Sequence, residues 1–365
     1  MVKIGIIGTG FGRQVHLPAC LATPGASVIG VASGQPERAR LVSEEFGLPR
    51  WFASWQELVE SSEIDAVSIA TPPALHEPIA LAALAAGKAV FCEKPLASTM
   101  AEAHRMHEAS QAARTPHMVS FEFRELPAWQ IVKQLLSDGT VGALRHVQVT
   151  WVVQGWADPA RPWSWRADGA QGGGALGAWG VHAFDYLEWL FGPIAKLTAQ
   201  LGTRIPRRPD AAGQLREVTS EDCAHMLLEL EDGTPVTLMF SGVAPVGIGH
   251  RVEIAGERAT LLLASRDLRD YGKGFEVWEG RPEASGLRRV PIPDDPMSKT
   301  FDDGRIAPVQ RLMQRFIESI QEGRLDARPS FEDGFRAQQL LEAARQSHQH
   351  QQWVNVAACA PAPTR

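Results

Sequence analysis

Short apolar runs alternate with helix-forming stretches from residue 3 to residue 121, and this alternation restricts the possible folds more than any other feature of the chain. Residues 3–7, 27–32, 65–70, 89–92 and 117–121 have the continuous apolar character of strands covered on both faces. Between them lie a helical stretch at 14–22, a short one at 55–61, an alanine-rich one from His76 closed by Gly87, and one opened by the capping box Thr99-x-x-Glu102. Alternation of this kind predicts a parallel, doubly wound α/β sheet.

In such a sheet ligands bind at the carboxyl ends of the strands, so the residues that end each run are the ones to read. The first run ends in Gly8-Thr9-Gly10-Phe11-Gly12-Arg13. Glycines there let the backbone approach a pyrophosphate, and the following helix offers N–H groups and its positive dipole end. The usual spacing is G-x-G-x-x-G or -A. Arg13 stands at its third glycine and Gly12 lies one residue early, so a departure in helix–strand packing is expected at that point. The second run ends in Ser33-Gly34, where a carboxylate would select NAD through the ribose hydroxyls, and Arg38 follows. A small hydroxyl beside a guanidinium suits a 2′-phosphate, which predicts a preference for NADP(H) with NAD(H) possible. The alternative is that Arg38 and Arg40 decorate a helix surface.

The run at 89–92 ends in Glu93-Lys94-Pro95. Proline disfavours helical angles in the residue before it, which puts Lys94 at an extended strand tip. A lysine beside a carboxylate and apolar walls can be tuned for acid–base work; the alternative is a surface lysine.

These motifs, with Thr71-Pro72-Pro73 and His76 after the fourth run, resemble the glucose–fructose oxidoreductase, inositol dehydrogenase and MocA (Gfo/Idh/MocA) family. The resemblance implies a Rossmann-type domain over 1–123, in which Lys94 is catalytic and touches the nicotinamide end of the cofactor. Thr71, Pro72, Pro73, His76 and Glu93 would then border the same cofactor. The family's second signature is similar to Gly172–His182, where a helix carries an Asp and, four residues on, a His facing the substrate. His182 matches the histidine, Ala178 stands in place of the aspartate, and Asp185 could partly replace it or be structural. A lone histidine on an apolar helix is otherwise a core residue.

From residue 124 the pattern changes. Residues 127–137 predict a helix, and 147–153 alternate with apolar odd positions, as a strand with one buried face does. The long loop 154–174 is rich in Trp and Arg, which argues against disorder. Further alternating segments at 194–203, 223–231, 234–243, 249–256, 258–264 and 274–279 predict an antiparallel meander forming a large, mostly open α+β sheet, with helices at 308–321 and 330–349 and a last strand at 353–356. Residues 124–365 would form this second domain, ending in a loose Ala/Pro tail at 357–365. Arg124, Trp163, Trp165, Arg166, Trp179 and Asp185 are the candidate substrate contacts, the indole faces suiting a sugar or cyclitol, with core packing as the alternative.

The formal net charge of −6 gives no general attraction to nucleic acid or membrane, and no apolar run is long enough to span a bilayer. Cys20, Cys92, Cys223 and Cys359 lack metal-like or paired spacing, so a metal-free protein of the reducing cytoplasm is expected. Apolar residues on both faces of 237–240 predict self-association, as a homodimer or homotetramer, through the second sheet. The reading as a whole is an NAD(P)-linked oxidoreductase acting on a sugar, cyclitol or related polyol. A reductase of a non-sugar carbonyl and a non-catalytic NADP-binding sensor are the alternatives.

Overall fold

The computed structural model describes residues 1–267, 270 and 272–359. They fall into two compact units, Met1–Glu122 with Met297–Gln338, and Phe123–Pro296 with the residues from Gln339 on. The first unit begins with β1 (Val2–Ile7), a wide π-helical turn (Gly12–His16) that continues as α1 (Leu17–Leu21), β2 (Ala26–Ala32) and α2 (Pro36–Phe46). It goes on through β3 (Arg50–Phe52), α3 (Trp55–Glu60), β4 (Ala66–Ile69), α4 (His76–Ala85), β5 (Ala89–Cys92), α5 (Met100–Ala112) and β6 (His117–Val119). All six strands are parallel, in the order β3-β2-β1-β4-β5-β6. The order reverses between β1 and β4, which is where such sheets open a crevice for ligands. The expected strands are present, and Thr99 and Glu102 close their capping box before α5. Strand β3 is absent from the sequence reading because two of its three residues are exposed, so it carries no apolar run.

The second unit contains α6 (Pro127–Ser137), β7 (Leu144–Val152), α7 (Val181–Phe191) and β8 (Ile194–Gly202). A small hairpin of β9 (Arg207–Pro209) and β10 (Leu215–Glu217) follows, then β11 (Cys223–Leu230), β12 (Pro235–Ser241), β13 (Gly249–Gly256), β14 (Thr260–Ser265), β15 (Glu276–Gly280) and β16 (Arg288–Val290). The large sheet has nine strands, ordered β16-β15-β14-β13-β7-β12-β11-β8-β17, where β17 is Val354–Asn355. It is mostly antiparallel but is not a meander. Strand β7 sits at its centre, parallel to β12 and antiparallel to β13. Alternation tells which side chains face the core and nothing about which strand is the neighbour. One face of this sheet is apolar and buried, through Val147, Val149 and Trp151 of β7 and Val252 and Ile254 of β13.

The helices α8 (Pro296–Thr300), α9 (Ile306–Glu322) and α10 (Phe331–His350) precede β17. Here the expected division at 123/124 needs correction. The chain leaves the first unit between Glu122 and Phe123 but returns to it over Met297–Gln338. The cause is the apolar stripe of α9, whose Ile306, Val309, Leu312, Met313, Phe316 and Ile317 are buried in one cluster with Ile4, Val31 and Phe91 of the parallel sheet. Of the tail expected to be loose, Val356–Cys359 form a short helical turn with Cys359 buried, and 360–365 lie outside the described residues. Among the described residues no helix is long and apolar enough to cross a membrane.

Candidate active site

The glycine turn after β1 divides its labour by position. Gly8 has φ +114°, and a Cβ there would lie 2.4 Å from the Ala70 carbonyl oxygen. Only glycine lets the end of β1 pass this close to the end of β4. A Cβ at Gly12 would sit 3.3 Å from Ala70 Cβ and Ile6 Cγ2, so Gly12 takes the helix–strand packing role that the usual motif gives its third glycine. That accounts for the shifted spacing. Arg13 is freed from this role and turns outward, its guanidinium bonded to both carboxylate oxygens of Glu45 at 2.7 and 2.6 Å. It is a surface ion pair. Gly10, by contrast, has no atom of the described residues within 4 Å of where a Cβ would be, leaving its backbone bare. Phe11 packs at 5.2 Å under the Arg305 guanidinium.

At the end of β2 the Ser33 hydroxyl lies 3.0 Å from that of Thr9 and accepts the Gln35 N–H at 3.3 Å, joining the first two strand ends. Gly34 has open space around it. Three arginines are in this region, and their pairing separates them. Arg13 is held by Glu45, and Arg40 by Glu37 and Glu44. Arg38 is exposed in the first turn of α2, with no side-chain ion pair or hydrogen bond among the described residues.

The loops after β4 and β5 are fastened together by His76. Its ring is fully buried, with Nε2 3.0 Å from the Thr71 carbonyl and Nδ1 3.0 Å from the Pro95 carbonyl. Burial lowers its pKa, more than the nearby carbonyls and Glu93 raise it. Each ring nitrogen lies against a backbone carbonyl, one of which a neutral ring can donate to, so His76 packs Thr71-Pro72-Pro73 against Pro95 rather than reaching outward. The hydroxyl of Thr71 is buried without a hydrogen-bond partner among the described residues. Beside this clamp, Glu93 is buried with Oε1 2.9 Å from His16 Nε2, while His16 Nδ1 lies 2.7 Å from the Ser68 hydroxyl. Burial pushes the Glu93 carboxyl up, but its contact with His16 and the charge of Lys94 outweigh it and hold the group below its ordinary value. The Lys94 backbone N–H is 3.3 Å from Glu93 Oε2, and its side chain is half-buried. His16 and Ser68 were not legible as site residues, since nothing local links them to Glu93.

In the second unit His182 is the second residue of α7, buried and edge-on to Phe123 at 5.0 Å. Asp185, one turn on, receives both a 3.0 Å bond from Arg124 Nε and a 2.6 Å bond from Arg124 Nη2. The two proposed substrate contacts therefore bind each other, and a bidentate, largely buried pair of this kind fastens α7 to the segment before α6. The indole nitrogen of Trp163 donates to the Glu217 carbonyl at 2.9 Å, and the Arg216 guanidinium covers one of its faces at 3.7 Å. Trp165 is covered on one face by Arg166 at 4.7 Å, and Trp179 packs tilted against Trp156 at 4.5 Å. Each of the three thus has packing work on at least one face. The glycine run is structural: a Cβ at Gly173 would meet the Arg166, Trp165 and Asp168 carbonyls within 2.7 Å, and one at Gly174 would meet Glu221 Oε1 at 2.2 Å. Glu221 accepts the Leu176 N–H at 2.8 Å, and burial raises its pKa. Neither Glu221 nor His250, stacked on Trp151 at 4.2 Å and 3.0 Å from the Tyr186 hydroxyl, had a sequence signal.

A dinucleotide fits the first unit: a bare glycine backbone and, without partners among the described residues, the Thr71 hydroxyl and Arg38 lie at three neighbouring strand ends, at the reversal of strand order. This is the class of the NAD(P)-dependent oxidoreductases with a Rossmann domain and a second, mixed-sheet domain. Residues 2–121 match the model described as oxidoreductase family, NAD-binding Rossmann fold, and residues 133–356 the one described as oxidoreductase family, C-terminal alpha/beta domain. The chain belongs to this Gfo/Idh/MocA family. It is 38% identical to an uncharacterized oxidoreductase of Synechocystis sp. over 97% of this chain and 96% of that one. It is 29% identical to the levoglucosan dehydrogenase of Pseudarthrobacter phenanthrenivorans, covering 97% and 98%. A solved structure of levoglucosan dehydrogenase in complex with NADH and L-sorbose superposes with a TM-score of 0.88 at 27% identity, over 99% of this chain and all (100%) of that one.

Proposed function

We propose that the protein is a dehydrogenase acting on a carbinol or carbonyl carbon of a sugar, cyclitol or related polyol. The observation that carries this reading is Lys94, held at the tip of β5 by a backbone already fastened on both sides, through Glu93 to His16 and through Pro95 to His76. A lysine used to polarise an oxygen or relay a proton needs such fixed placement. Relatives named levoglucosan dehydrogenase and, in Bacillus subtilis, glucose-6-phosphate 3-dehydrogenase support the substrate class, the latter at 26% identity over 98% of this chain.

The cofactor would be held by Gly8, Gly10 and Gly12 at its pyrophosphate, by Ser33, Gly34 and Arg38 at its adenosine ribose, and by Thr71 to Pro73 and Lys94 toward its nicotinamide. When bound, it supplies the hydride acceptor or donor. Arg38 favours NADP(H), with NAD(H) accepted. Lys94 polarises the substrate oxygen or relays its proton, and His182 serves as the base in the oxidation direction. Arg124 and Asp185 act by positioning α7. Four buried thiols suit a reducing cytoplasm. The outer face of the large sheet, with Leu227 half-exposed and Met239 on the adjoining strand, supports assembly into a dimer or tetramer.

The test is cofactor-coupled absorbance with a panel of sugars and polyols, followed by two substitutions. Lys94→Ala is expected to abolish turnover while cofactor binding survives, and His182→Ala to slow it by roughly 10²–10⁴-fold. Near-full activity of Lys94→Ala on a confirmed substrate would overturn the mechanism.

A further inference from the structure

We propose that His16 is a positioning residue for Lys94, acting through Glu93 to keep a negative charge at the root of the lysine. The inference rests on the reading of Lys94 as the working lysine and extends it to a group that touches neither substrate nor cofactor. The geometry is a continuous buried chain. The Ser68 hydroxyl lies 2.7 Å from His16 Nδ1, His16 Nε2 lies 2.9 Å from Glu93 Oε1, and Glu93 Oε2 lies 3.3 Å from the Lys94 N–H. Ser68 and His16 are fully buried and Glu93 is 7% exposed. Three separate elements contribute: β4 carries Ser68, the π-helical turn after β1 carries His16, and Glu93 follows β5.

A carboxylate this deep persists as an anion only if donors meet it. His16 supplies one, which requires a proton on Nε2. With that proton fixed, a neutral ring must accept at Nδ1, and the Ser68 hydroxyl is the donor in place. Ser68 thereby sets the tautomer, His16 holds the carboxylate, and the carboxylate lies against the backbone of Lys94. The other titratable groups that face Glu93 are His76 of α4 and Cys92 of β5. Burial lowers the pKa of His76 and raises that of the Cys92 thiol, so neither adds a charge beside Glu93 near neutrality.

Two substitutions remove the carboxylate's charge or its donor. Glu93→Gln deletes the charge directly. His16→Leu deletes the His16 donor, after which burial weighs more toward the protonated Glu93 carboxyl. Each is expected to lower the pKa of Lys94 by about one unit, the small end of what a nearby opposite charge contributes. The shift is read by NMR titration of reductively ¹³C-methylated full-length protein, with the Lys94 signal assigned by its loss in Lys94→Arg. His16→Gln, whose side-chain amide can donate to Glu93, should restore the Lys94 pKa, which a role confined to packing would not. The pH–rate profile with a confirmed substrate should move in step.

This readout separates the inference from the reading beneath it. An unshifted Lys94 titration in folded Glu93→Gln and His16→Leu overturns the inference, even if Lys94→Ala proves inactive. If His16→Leu does not fold, Glu93→Gln and His16→Gln decide: an unshifted titration in the first, or a shift in the second as large as that in the first, overturns it. A shifted titration together with an active Lys94→Ala supports the inference and overturns the catalytic role of the lysine instead.

Discussion

Cofactor choice can be tested at a single guanidinium. Arg38 stands in the first turn of α2, just beyond the end of β2, and has no internal partner among the described residues, whereas Arg13 and Arg40 are committed to Glu45 and to Glu37 with Glu44. Replacing Arg38 by Ala therefore sacrifices no ion pair of the fold, and its effect should appear almost wholly in binding. Hydrogen bonds to charged groups contribute about 1.5–3 kcal/mol. Loss of that amount against a 2′-phosphate corresponds to roughly a ten- to hundredfold weaker NADP(H) affinity. NAD(H), which lacks the phosphate, should change by less than about threefold. The assay is fluorescence titration of both reduced cofactors against wild type, Arg38→Ala and Arg40→Ala, with melting temperature as the control on folding. Arg40→Ala should leave the ratio of the two affinities unchanged, because its guanidinium already has two carboxylates. Equal weakening of both cofactors by Arg38→Ala, or no change in either, would refute the reasoning.

Three further outcomes are expected. Gly10→Ala should weaken cofactor binding at an unaltered melting temperature, because a Cβ there meets nothing among the described residues, while Gly8→Ala should destabilise the fold by at least the roughly 1–3 kcal/mol of a strained backbone; equal melting temperatures for the two would contradict this. Burial, as the largest cause, lowers the pKa of His117 to about 4 and of His250 to about 3. Both are neutral when folded but take up protons near pH 6.5 when unfolded, so their contribution to stability is whole above that pH and is lost as the pH falls toward those values, at up to about 1.4 kcal/mol per pH unit for each; a melting temperature that stays flat from about pH 7 to 4 would count against it. Light scattering should report a dimer or tetramer at micromolar concentration, and Leu227→Glu combined with Met239→Glu should dissociate it; a wild-type monomer would remove the basis for assigning the outer sheet face to an interface.

The parts of this protein that were legible in its sequence are those with local causes. The parallel sheet follows from strand runs covered on both faces and from the glycine turn, the helix start at Thr99 from its capping box, and the buried and open faces of β7 from strict alternation. Lys94 could be picked out because a strand, a charge pair and a proline adjoin in the chain. The tertiary structure decided whatever depends on partners distant in sequence. Glu93 finds His16 from 77 residues away, and Asp185 finds Arg124 from 61. These meetings are set by strand order and helix packing, about which neither periodicity nor spacing carries information. For the same reason α9 could be read as amphipathic but not assigned to the first unit, and β7 could be read as a strand but not placed parallel to β12. Gly12 and Arg13 show both limits at once: the sequence announced an irregular glycine motif, and only the 3.3 Å approach to Ala70 and Ile6 shows that Gly12 does the packing and leaves the arginine to the surface.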